Sequence, residues 1–157
     1  MTLPSGLEPH AVMAGLPASV PFVRTLGIEV TAVREDDGVL VAEATLPDVD
    51  GQRNHVGGPH AGALFALGET ASGAVVLGAF ADQLGRATPL AVRADIAYQK
   101  LARGDVTATA RLGAERADVV AALDAGERPE FPVHVEIARA DGAVTATMTV
   151  LWTLRPH

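Results

Sequence analysis

The chain reads as an α+β domain, a single curved antiparallel sheet of about six strands wrapped around one long helix. Three observations predict it. Six segments alternate apolar and polar residues at the strand period. One stretch, residues 61–80, is apolar on all sides and too long for a strand. No other long apolar element exists to cover a sheet face, so the sheet must close on that helix.

Each element follows from local chemistry. Prolines at 4, 9, 17 and 21 break residues 1–26 into short helical or irregular pieces, with Ser19 as cap of a brief helix that carries Pro21 in its first turn. In GIEVTAVREDDGVLVAEATL, Ile28, Val30 and Ala32 alternate with Glu29 and Thr31, and Leu40, Ala42 and Ala44 alternate with Val39, Val41 and Glu43. Asp37-Gly38 supplies the hairpin turn between those two strands. Residues 47–59, PDVDGQRNHVGGP, form a loop by composition. The helix at 61–80 is rich in Gly and Ala, which lowers helix propensity but suits close approach by a surrounding sheet.

Four strands then follow as a meander: 90–98, 104–112, 133–139 and 143–154, the last two joined at Asp141-Gly142. A short surface helix at 115–125 interrupts them and ends near Gly126. Neither a repeat nor a composition break divides the chain, so residues 1–157 form one domain.

Composition excludes several functions. With 48% apolar and 20% charged residues among 157, the chain is ordinary globular material, large enough for a real core. A formal charge of −7, no basic run and Lys100 as the only lysine argue against a nucleic-acid partner. The absence of cysteine excludes disulfides, thiol catalysis and Cys-zinc sites. The first Lys or Arg is Arg24, so no secretory n-region is expected, and a cytoplasmic location fits. A membrane span over 61–81 is disfavoured by Glu69, Thr70, Ser72 and four glycines.

Glu69 is the only ionisable group between Ala61 and Ala81. A carboxylate amid apolar residues is costly unless it is paired, protonated or used, and low polarity raises its pKa towards that of a neutral-pH base. Phe65, Ser72 and Gly73 are its helix neighbours. The other reading is a structural carboxylate bonded to the 47–59 loop. His55 and His60 with Glu69 do not make a helical zinc motif, because Gly57, Gly58 and Pro59 break the spacing. No metal is expected.

The element order, joined to Asn54…Gly57…His60-Ala61-Gly62…Glu69, resembles the hotdog-fold acyl-CoA thioesterases of the phenylacetate-pathway and 4-hydroxybenzoyl-CoA type. That family carries Asn or Gln, a glycine, then His-Gly-Gly opening the central helix, with Asp or Glu two turns on. The intervals here are nine residues from His60 to Glu69 and fifteen from Asn54. Ala61 departs from the second position of His-Gly-Gly. PFVRTLGIEV and AYQKLARGD are similar more loosely.

The resemblance implies thioester hydrolysis at a site between subunits of a homodimer or homotetramer. Glu69 would be general base or nucleophile, a choice that the sequence leaves open. The Ala61 backbone N–H would donate to the oxyanion, Asn54 would orient water or thioester, and His60 would shape the helix start. Gly62, Phe65, Ser72 and Gly73 would meet the acyl part, and Arg53, Lys100 and Arg103 the coenzyme A phosphates. Coenzyme A enters as part of the substrate and no separate cofactor is implied. Asn54 also reads as a plain turn residue, and each basic residue as solvated surface. Two other functions on this fold are a non-catalytic acyl-CoA binding module and an enoyl-thioester hydratase.

Overall fold

The structure, a computed structural model, describes residues 9–157. Residues 1–8 of the proline-rich opening lie outside them. Helix α1 (Pro9–Ser19) is followed by α2 (Pro21–Leu26), strands β1 (Glu29–Asp36) and β2 (Val39–Leu46), and the central helix α3 (Ala61–Phe80). Then come β3 (Ala87–Tyr98), β4 (Val106–Leu112), α4 (Arg116–Asp124), β5 (Glu130–Arg139) and β6 (Val144–Pro156).

Pro17 does not break the opening helix. It sits in the last turn of α1, where only one backbone bond is forfeited. Ser19 closes α1 instead of capping α2: its hydroxyl donates to the Gly15 carbonyl at 2.7 Å, and Val20 occupies the α2 N-cap without a side-chain bond. Pro21 stands in the first turn of α2, where its missing N–H costs nothing. The β1–β2 hairpin turns on Asp37 and Gly38, both at positive φ (49° and 79°), the geometry that favours Asp-Gly between two strands.

All strand pairs are antiparallel, in the order β1-β2-β4-β5-β6-β3. This corrects the expected four-strand meander. Only β4, β5 and β6 follow one another; β3 lies beyond β6, at the edge opposite β1. Helix α3 is the reason, since it acts as the crossover from β2 to the far side of the sheet.

The concave face presents Ala42, Ala44, Ala108, Ala110, Val135, Ile137, Ala146, Met148 and Val150 to the core, all buried. Leu67, Ala71, Ala74 and Val75 of α3 are fully buried within the same cluster. Close approach explains one helix glycine directly. A β-carbon on Gly68 would stand 2.6 Å from Met148 Sδ. Helix α3, running on to Gln83, is the one helix among the described residues long and apolar enough to cross a membrane, and 78% of its apolar window is buried inside the fold.

Strand β3 breaks the pattern. Leu90, Val92 and Tyr98 are 39%, 44% and 49% exposed, although their spacing predicts a shared inward face; a bulge between Ala91 and Arg93 shifts the register, setting Leu90 opposite Thr153 while Tyr98 stands opposite Ala146. The chain thus carries a long apolar edge strand with nothing over it among the described residues.

Candidate active site

The loop before α3 is built around Asn54. Its Oδ1 accepts from the N–H of Val56 (3.0 Å) and of Gly58 (3.2 Å), while its Nδ2 donates to the Pro59 carbonyl (3.3 Å). A backbone bond from Asn54 N–H to the Gly58 carbonyl (2.8 Å) closes the turn. Within one chain, then, Asn54 organises the loop that launches the helix. The segment after β3 packs on it so tightly that a β-carbon on Gly58 would collide with the Ala102 carbonyl oxygen. Tyr98 ties the same corner together by donating from its hydroxyl to the Ala61 carbonyl at 2.9 Å.

His60 is the N-cap of α3. Its Nδ1 accepts from Gly62 N–H at 2.9 Å, which places the ring proton of the neutral form on Nε2. Its backbone carbonyl accepts from Ala63 and Leu64. Gly62 is held under the imidazole, where an added β-carbon would come within 3.2 Å of Nδ1. With those donors paired, the exposed N–H of Ala61 is the one first-turn donor without a partner among the described residues. It is a backbone donor at the positive end of a twenty-residue helix dipole.

Two turns on, Glu69 lies half-buried beside a cavity of about 230 Å³. Leu16, Val20 and Val23 of the N-terminal helices, Gly73 and Val76 of α3, and Trp152 of β6 form its walls. Its other polar side chains are already bonded. Thr70 donates to the Ala66 carbonyl (2.7 Å), Ser19 to Gly15, and the Trp152 indole N–H to Ser72 Oγ (3.0 Å). The Glu69 carboxylate alone has no hydrogen-bond or ion-pair partner among the described residues, and burial pushes its pKa above the ordinary carboxylate value. The alternative of a carboxylate bonded to the 47–59 loop finds no such bond.

The remaining candidates divide. Gly73 lines the cavity, and Phe65 is exposed on the helix one turn beyond Ala61. Ser72 is fully buried, its proton committed to the Glu69 backbone carbonyl (2.7 Å) while its oxygen accepts from Trp152. Arg53 is likewise engaged: Asp48 accepts from its Nε (2.9 Å) and Nη2 (3.1 Å), and Asp50 pairs at 2.7 Å. That arginine braces the loop. Lys100 and Arg103 are exposed in the segment packed on Gly58, without an ion-pair partner among the described residues. A larger hollow of about 380 Å³ on the outer sheet face, lined by Asp95, Arg111, His134 and Glu136, lies away from Glu69. There Arg111 is paired with Asp36 and His134 is bonded to Thr149.

A family model described as a domain of unknown function, DUF4442, matches residues 9–154. The chain belongs to the DUF4442 family. The chain has the hotdog fold of its thioesterase-like structural neighbours. A protein of unknown function and probable thioesterase from Pseudomonas aeruginosa superposes with a TM-score of 0.82 at 25% identity, over 97% of this chain and 98% of that one. A Haemophilus influenzae thioesterase gives 0.75 at 19% identity, over 99% and 96%. A Staphylococcus aureus thioesterase gives 0.65 at 22%, over 87% and 100%. No curated protein matches the sequence.

Sequence reasoning missed half of the DUF4442 cavity. Leu16, Val20 and Val23 were hidden in a stretch read as broken by prolines, and no single period joins them, since Val20 is the extended residue between α1 and α2. Trp152 was legible only as an inward strand residue.

Proposed function

We propose that this DUF4442 protein is an acyl-CoA thioesterase whose site is completed by a second copy of the chain. The observation that carries the reading is the unpaired Glu69 carboxylate at an apolar cavity. A buried, partnerless acid is a destabilising feature that a purely structural core has no reason to keep. As general base, Glu69 takes a proton from water while the water oxygen bonds to the thioester carbon. As nucleophile, it attacks that carbon itself and the mixed anhydride is then hydrolysed. In either route the C–S bond breaks, the thiol leaves with a proton, and no metal or organic cofactor takes part.

The oxyanion requires a donor, and the free Ala61 N–H is the candidate. Eight residues of helix rise set it about 12 Å from Glu69 along the axis. A carboxylate cannot attack a carbonyl that is hydrogen-bonded so far along its own helix. A partner's Ala61 resolves this, and the bare β3 edge offers the surface on which two chains would join. Lys100 and Arg103 stand beside the helix start, where coenzyme A phosphates would be held. The thioesterase names of the structural relatives support the same chemistry.

The test is free-thiol release from short, medium, long and aromatic acyl-CoAs. Thiol and free acid are expected in equal amounts. Tight binding without thiol would make the protein a binding module, and a hydrated thioester would make it a hydratase.

A further inference from the structure

The cavity beside Glu69 is small, lined mostly by apolar side chains and poor in free hydrogen-bond donors, and those properties restrict the acyl group. We infer that the substrate carries an unsubstituted, uncharged acyl chain of medium length, and that α1 and Gly73 set its limit. This deepens the thioesterase reading and rests on it.

Size comes first. An apolar protein cavity of about 150 Å³ holds one benzene ring, so each carbon takes roughly 25 Å³. The 230 Å³ beside Glu69 therefore accepts roughly nine heavy atoms, an acyl group of up to about C8 once its carbonyl oxygen is counted.

Chemistry comes second. Ser19, Thr70 and Trp152 have their hydrogen-bonding groups bonded to the protein, and Pro89 brings no N–H. A hydroxyl on the acyl chain could give its proton to Ser19, Thr70 or Glu69 but would find no side-chain donor left for its oxygen, and a second carboxylate would face Glu69 with no donor at all. Dicarboxylic thioesters are thereby rejected, by loss of solvation and by like charge, and hydroxylated ones are disfavoured to a smaller extent.

Two positions can move the limit in opposite directions. Gly73 lines the cavity, and its added β-carbon would sit 3.7 Å from the Trp152 ring, ordinary contact, so Gly73→Ala should fold and shorten the space by about one carbon. Leu16→Ala removes three carbons from the opposite wall and lengthens it.

The experiment measures kcat/KM over straight-chain acyl-CoAs from C2 to C16, with 3-hydroxyoctanoyl-, succinyl- and phenylacetyl-CoA. Affinities of the matching alkyl-CoA thioethers, which cannot be hydrolysed, are measured in parallel. We expect a fall of about tenfold or more beyond C8 and about 10²-fold against the dicarboxylic thioester, with a smaller loss for the hydroxylated one. Gly73→Ala should move the optimum down, and Leu16→Ala should raise the C10 to C6 ratio about tenfold.

Rates independent of length, a preference for hydroxylated or dicarboxylic chains, or an optimum unmoved in Gly73→Ala would each overturn the inference while leaving hydrolysis intact. Thioethers that bind with this cut-off, shifted by Gly73→Ala, in a protein that releases no thiol would uphold the pocket and remove the hydrolytic reading. Octyl thioether that does not bind overturns the pocket in any case. Phenylacetyl-CoA turned over while every straight chain is refused also contradicts it.

Discussion

Glu69 carries opposite consequences for stability and for chemistry. Its pKa is raised by burial, so the folded chain holds the proton more tightly than the unfolded one. Stability at this residue is therefore lost as pH rises from the ordinary carboxylate value through the raised one. Glu69→Gln should raise Tm by a few degrees at about pH 8 and lose that advantage near pH 4, where wild type is protonated. Thermal melts at the two pH values check this, and a mutant less stable at high pH would mean that the carboxylate has a partner after all. Asn54→Ala removes an acceptor for two backbone N–H groups, so it should cost about 1–3 kcal/mol by denaturant melts as well as about 10²-fold in turnover. Sequence alone left Asn54 divided between turn and catalysis. The structure shows the turn role, which only the bonds to Val56 and Gly58 could reveal. Glu69 was legible because a single charge stood in an otherwise apolar run, whereas the bonds that engage Ser72 and Arg53, to Trp152 and Asp48, follow from how the chain packs and were not legible in composition.

At the level of elements, periodicity located all six strands and helices α3 and α4, α3 with its observed ends, since a twenty-residue apolar run between a Pro-Gly loop and Asp82 allows little else. It did not reveal that β3 joins β6, because pairing order depends on where the crossover helix delivers the chain. The loops flanking the helix start are more demanding than they look in sequence. Gly58 is packed under the Ala102 carbonyl, so Gly58→Ala must displace one loop. The expected cost is about 1–3 kcal/mol in urea melts, typical of overpacking. Loss of activity beyond the fraction unfolded would show that the two loops together position the Ala61 N–H. A neutral effect on both would mean that the close approach is easily relaxed.

For the whole molecule, the exposed apolar edge is the feature that one chain cannot explain. Leu90 and Val92 lie on a twelve-residue strand that pairs with β6 on one side only among the described residues, and such edges invite pairing with a second copy. Leu90→Asp with Val92→Asp should give a folded monomer by light scattering and abolish turnover, because the site would lose its partner's half. Full activity in a monomer would refute the two-chain site. The measurement that tests the central claim most directly is thiol release by Glu69→Gln beside wild type on one acyl-CoA, with affinity for the matching thioether determined on both. Removing the group that activates water or attacks the carbonyl should lower kcat by about 10³-fold or more while affinity stays within about threefold. A Glu69→Gln enzyme turning over at the wild-type rate would contradict it.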